Sequence, residues 1–205
     1  MENTSNNKVN VRFMTELALI AAIIVIMALT PIGYIRTPII VLTLITIPVA
    51  VGAIILGPTG GAVCGLIFGL TSLYTALTAP SPMMAAFVAI NPLLVAILCV
   101  IPRVLDGWLC AIVYKGLKKV MKNNPLVYYI AGVSCPVLNT ILFMSTLVIM
   151  FYNCEFVVNL RQSLGTTNPI TFVCAAVGVQ ALIEAGVCGF VSGLVTQQLN
   201  RVLKR

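Results

Sequence analysis

Residues 57–69 read GPTGGAVCGLIFG, and four of the glycines, Gly57, Gly61, Gly65 and Gly69, recur at a strict spacing of four. Inside a water-exposed helix each glycine costs about 0.5–1 kcal/mol relative to alanine. A row of four on one helical face therefore calls for a compensating contact. Between membrane helices such a contact exists. Lipid is as apolar as leucine, so helices there associate by close backbone approach, which small residues four apart permit. The spacing predicts a packing seam on a membrane helix, continued roughly by Ser72 and Ala76. Either another span of the same chain or a second polypeptide satisfies it, and spacing alone does not choose.

The surrounding composition agrees with a membrane setting. Of 205 residues, 60% are hydrophobic and 8% charged, against about 25% charged in a soluble domain. Charge-free runs extend over Leu17–Ile35, Thr37–Pro102, Asn123–Cys154 and Gln162–Ile183. A spanning helix takes about 20 apolar residues, so the second run crosses more than once. No segment alternates with a period of two, which argues against a membrane barrel. The N-terminal run lacks a cleavage-like site and reads as a first span rather than a signal peptide.

The chain reads as one all-α integral membrane domain over residues 1–205, with six transmembrane helices near 13–29, 39–56, 59–77, 93–114, 126–150 and 170–199. Met1–Arg12 is polar and expected to be a loose cytoplasmic N-terminus. Thr30-Pro31-Ile32-Gly33, Gly57-Pro58 and Thr78-Ala79-Pro80-Ser81-Pro82 are the breaks, and 83–90 reads as a loop or re-entrant piece. Six spans put both termini on one side. That side then receives Lys8, Arg12, Lys115, Lys118, Lys119, Lys122, Arg201, Lys204 and Arg205. The positive-inside rule makes it the cytoplasm. The net charge of +7 follows from topology, and no nucleic-acid partner is needed.

Chemistry is bounded by what is missing. With no histidine, zinc-protease HExxH and Ser-His-Asp catalysis are excluded. The seven cysteines are scattered singly with no CxxC pair, which reads as small apolar filler rather than disulfides or a metal site. GPTGG is followed by no lysine and enters a membrane helix, so it is not a GxxxxGK phosphate loop. The expectation is a non-enzyme without cofactor or metal.

Ionisable groups inside a membrane are costly and mark function by default. Arg103, Asp106 and Glu184 lie well inside the predicted spans. Arg103 and Asp106 are three apart, close enough to pair, and the alternative is that Arg103 offers its forked donors to a ligand carboxylate. Asn139 follows Pro136 in the fifth span, and Gln180 precedes Glu184 by one turn in the sixth. Together they suggest one shared substrate cavity, with Asn91, Tyr74, Tyr34 and Arg36 at its outer rim.

The run IPVAVGAIILGPTGGAVCGLIFGLTSLYTA, residues 47–76, resembles the substrate-binding S components of energy-coupling-factor (ECF) vitamin transporters. Supporting matches are Ala18 and Ala22, Pro102-Arg103-Val104-Leu105 with Gly107, Leu138-Asn139-Thr140, and Ile183-Glu184. In detail it is most similar to the pantothenate-specific branch. The resemblance implies a six-helix fold and a vitamin site near the extracellular side. It also implies docking of Ala18 and Ala22 on a membrane scaffold that carries two ATPase subunits, with ATP and Mg used by those partners only. Alternatives are another vitamin or precursor (folate, riboflavin, a pyrimidine) on the same fold, or an autonomous small secondary transporter.

The topology has a direct test. A membrane-impermeant thiol reagent applied from outside should miss a cysteine reporter at position 119 and reach one at position 165. Labelling of both from one side breaks the six-span arrangement.

Overall fold

The computed structural model describes residues 11–31, 33–36, 41–121, 124–165 and 168–202. In chain order the elements are α1 (Val11–Leu29), β1 (Tyr34–Arg36), β2 (Val41–Thr43), α2 (Thr46–Thr78), α3 (Pro82–Ile90), α4 (Pro92–Val120), α5 (Leu126–Phe151), α6 (Glu155–Ser163) and α7 (Pro169–Val202). Among the described residues five helices are long and apolar enough to cross a membrane: α1, α2, α4, α5 and the 177–202 part of α7. Of the expected loose segment, 1–10 lies outside the described residues, as do Lys8, Lys122, Lys204 and Arg205 of the basic set. Arg12 already belongs to α1, where its Nε donates to Glu16 Oε1 at 2.9 Å.

Gly57 explains why α2 is not a straight rod. Its backbone sits at φ 78° and ψ −167°, a region open essentially to glycine alone. Pro58 follows, which has no N–H to lose and starts a helix well. The two arms, 46–56 and 58–78, fold back on each other. A Cβ built on Gly52 would lie 3.5 Å from Cys64 Cβ, and one on Gly61 would lie 3.1 Å from Ala53 Cα. Residues 12 apart in a straight helix would be separated by about 18 Å. The expected turn at Gly57-Pro58 is thus present, but the helix before it is shorter than the expected 39–56. Residues 34–36 and 41–43 pair instead as an antiparallel hairpin, with Tyr34 opposite Thr43. Extended backbone suits the β-branched residues around this stretch, and 37–40 lies outside the described residues. The fold is therefore helical except for this hairpin.

Two other readings shift in detail. Residues 82–90 form a short helix, capped by Ser81, whose Oγ accepts from Met84 N. Its Phe87 is fully buried and stacks on Phe151 at 4.3 Å. The polar connection after α5 contains α6, which buries Val157.

The glycine row is an internal seam. A Cβ on Gly61 or Gly107 would overlap the other's carbonyl, and one on Gly65 would overlap the Arg103 carbonyl. At Gly69 it would come within 2.9 Å of Val100 Cα. The second arm of α2 thus lies backbone to backbone against α4. A second seam joins α5 to α7, where a Cβ on Gly189 would meet Val133 Cα at 3.0 Å and one on Gly193 would meet Tyr129 Cα at 3.0 Å. On α1, Ile20, Ile24 and Ala28 face inward, whereas Ala18 and Ala22 are exposed.

Gly61→Leu should lower the thermal unfolding midpoint of the detergent-purified protein. Overpacking of this kind costs about 1–3 kcal/mol or more. Gly116 has nothing within 4 Å of a Cβ, so Gly116→Ala should leave the midpoint unchanged or raise it, by up to about 1 kcal/mol. Equal behaviour of the two variants would contradict a seam.

Candidate functional site

Above the glycine seam the bundle opens into a cavity of about 630 Å³, within the range of roughly 300–1,000 Å³ common for small-molecule sites. It lies between the 58–78 arm of α2, α4, α5 and α7, at the end that carries the hairpin and the start of α3. Four of the expected ligand residues line it, from three helices: Arg103, Asn139, Gln180 and Glu184. Tyr34 also lines it, while the side chain of Arg36 lies outside what is described.

Two expected residues are placed elsewhere. Asn91 caps α4, its Oδ1 accepting from Leu93 N at 2.9 Å and Leu94 N at 3.4 Å. Capping an exposed helix start is what asparagine before a proline does well. Tyr74 is 57% exposed on the outer surface of α2 and does not reach the cavity.

Arg103 is 8% exposed. Its carbonyl faces Gly65, so the seam sets its height in the bundle. Helical side chains lean toward the N-terminus, and the guanidinium follows: Nη1 donates to the carbonyls of Leu98 and Cys99, both at 3.0 Å. The group lies between two rings, 5.2 Å from the Phe68 centroid and 4.9 Å from that of Phe143. Cation–π contact supports a buried guanidinium without neutralising it. Nε has no hydrogen-bond partner among the described residues.

The Arg103–Asp106 pair is not formed: among the described residues no carboxylate oxygen lies within 4.0 Å of the Arg103 guanidinium. Asp106, fully buried, instead accepts from Cys135 Sγ on α5 at 3.4 Å. Arg103 leans back along α4 while Asp106 is held across to α5, so spacing that permits pairing does not produce it. Glu184 is 3% exposed. It accepts a hydrogen bond from the backbone N–H of Thr43 in β2, tying α7 to the hairpin. Asn139 Oδ1, facing the same cavity, lacks a partner among the described residues.

The arrangement therefore offers an arginine with an unsatisfied donor, an amide acceptor, a second amide at Gln180, and apolar walls. A buried polar group left unmade is expensive, and the cavity wall presents one such donor, Arg103 Nε, and one such acceptor, Asn139 Oδ1, beside the Glu184 carboxylate. Sequence reasoning missed Phe143, one turn beyond Asn139, and Thr75, while Ser72, expected to continue the glycine seam, lines the cavity wall. The one-turn spacing from Asn139 was a usable signal for Phe143. It also passed over the α5–α7 seam, although Ala185, Gly189 and Gly193 repeat every four residues. Among the described residues no group of three or more His, Cys, Asp or Glu side chains is placed to hold a metal.

A family model described as "ECF transporter, substrate-specific component" matches residues 12–195. The chain is 33% identical over 146 residues to the pantothenic acid transporter PanT of Lactococcus lactis subsp. cremoris (strain MG1363), covering 66% of this chain and 71% of that protein.

Proposed function

Because the chain belongs to the substrate-specific components of ECF transporters, and so is a multi-pass protein of the bacterial cell membrane, we propose that its cavity captures pantothenate for import. The observation that carries this reading is Arg103: a buried guanidinium in the cavity wall, without a carboxylate partner, and with Nε unspent. Pantothenate bears one carboxylate, an amide and two hydroxyls. Its carboxylate loses hydration on entering an apolar cavity and needs a charge-assisted partner there. Asn139 and Gln180 provide amides for the polar remainder, and PanT names the same substrate.

In this reading six helical segments cross or enter the membrane, with the α2 arms counted separately, and both termini are cytoplasmic. Two observations support it. The Gly57 turn lies beside Lys115 Cε, which a Cβ there would approach at 3.8 Å. That groups the turn with the basic end of α4, and the basic last turn of α7 falls at the same end by the alternation of helices. The cavity then faces outside. The chain itself binds substrate and takes no cofactor. ATP and Mg are used by two ATPase subunits joined through a membrane scaffold, on which the exposed face of Ala18 and Ala22 docks. That face is left unused by the chain's own core, since α1 turns Ile20, Ile24 and Ala28 inward.

Arg103→Ala should weaken pantothenate binding by about 2–5 kcal/mol, the range for truncating one partner of a buried charge pair. Arg103→Lys should recover part of it, because an ammonium cannot form the bidentate fork. The neutral primary alcohol of the vitamin should lose much less than the acid. Equal losses for acid and alcohol, in a protein that still folds, would remove the carboxylate role. A binding screen against water-soluble vitamins separates pantothenate from other carboxylate-bearing ligands.

Replacing Ala18 or Ala22 with a large residue should abolish uptake in cells while purified protein still binds the vitamin, since bulk blocks close helix approach. Loss of both together would instead assign that face to folding.

A further inference from the structure

A second cavity, of about 480 Å³, lies at the opposite end of the bundle from the substrate site, between the last turns of α4 and α7 and the start of α5. Its wall carries Lys118, Arg201, Tyr114, Tyr128, Gln197 and Asn200. We infer that this cavity binds a phosphate-bearing anion, either the headgroup of an acidic phospholipid or a soluble phosphate.

The charge pattern argues first. Among the described residues no aspartate or glutamate lines the cavity, and neither Lys118 nor Arg201 has a carboxylate within 4.0 Å. Lys118 Nζ rests 5.6 Å from the centroid of the Tyr114 ring, a contact that orients the ammonium but leaves its charge uncompensated. Helix C-termini attract cations, which explains basic residues in these last turns but not the concave space between them. Basic pockets between transmembrane helices on the cytoplasmic side are the places where anionic headgroups bind.

The neutral residues bond to one another. Asn200 Nδ2 donates to Tyr128 Oη at 2.6 Å, and the Tyr114 hydroxyl lies within hydrogen-bond reach of both groups. Tyr129 Oη donates to Gln197 Oε1 at 3.1 Å, which occupies the amide oxygen and leaves the NH2 group. The two cations and the Gln197 amide thus give a donor set without a competing carboxylate among the described residues. Arginine suits phosphate because its fork engages two oxygens at once. Phosphate chemistry accounts for that set better than a carboxylate ligand, which needs fewer donors. The inference does not depend on which vitamin occupies the outer cavity.

Native mass spectrometry of the full chain in neutral detergent provides the test, with phosphatidylglycerol, phosphatidylcholine and inorganic phosphate as probes. One phosphatidylglycerol should be retained per chain, with a preference over phosphatidylcholine of about tenfold or more. The double variant Lys118→Gln with Arg201→Gln should lose the preference, and Lys118→Arg should keep it. Both cations are exposed, and folding of each variant is checked by its unfolding midpoint. Displacement of phosphatidylglycerol by inorganic phosphate, or retention of phosphate alone, assigns the site to a soluble anion of the same chemistry. Equal retention of both lipids with no effect of phosphate overturns the inference, as does a preference that survives the double variant.

Discussion

Gly61 and Gly107 bring two helix backbones together so closely that neither position has room for a methyl group. This approach of α2 to α4, continued at Gly65 and Gly69, is the constraint on which the rest depends. It is available because Gly57 lets the chain double back, placing the 58–78 arm beside its own predecessor and against α4 at once. In lipid no hydrophobic gain would drive these helices together, so dispersion between close-packed backbones has to do so. The glycines supply that closeness at the expense of local helix propensity.

The seam also locates the chemistry. Gly65 packs on the backbone of Arg103, and three residues along the same helix Phe68 lies under its guanidinium. Beyond Gly69, Ser72, Thr75 and Ala76 of α2 line the cavity. The hairpin is held over that opening by the Glu184 carboxylate, which accepts the Thr43 N–H. An extended strand edge at the membrane surface needs a partner for its exposed N–H, and Glu184 provides one from a different element.

The two ends of the bundle differ in electrostatics for different reasons. At the cavity end one buried arginine is supported by carbonyls and rings, and the Glu184 carboxylate lines the same space. At the other end the cations sit on last helical turns, where helix dipoles favour them. The chain has 12 basic and 5 acidic residues, so its acids cannot neutralise all of its cations.

The membrane class, the approximate helices and the glycine seam were legible in the sequence because each follows from local pattern. Charge-free length gives spans, a spacing of four gives a face, and Gly-Pro gives a turn. Arg103, Asn139, Gln180 and Glu184 could be singled out because polar groups in apolar runs are costly wherever they point. Spacing left two questions open: whether Arg103 pairs with Asp106, and what the glycine face touches. Side-chain lean along α4 and the reach of Cys135 from α5 decided the first. The fold-back at Gly57 decided the second. The hairpin at 34–43, the capping role of Asn91 and the outward face of Tyr74 were likewise settled only by tertiary contacts. Residue type and spacing determine what a side chain is able to do, but its partner is set by the neighbouring helix that packing brings within reach.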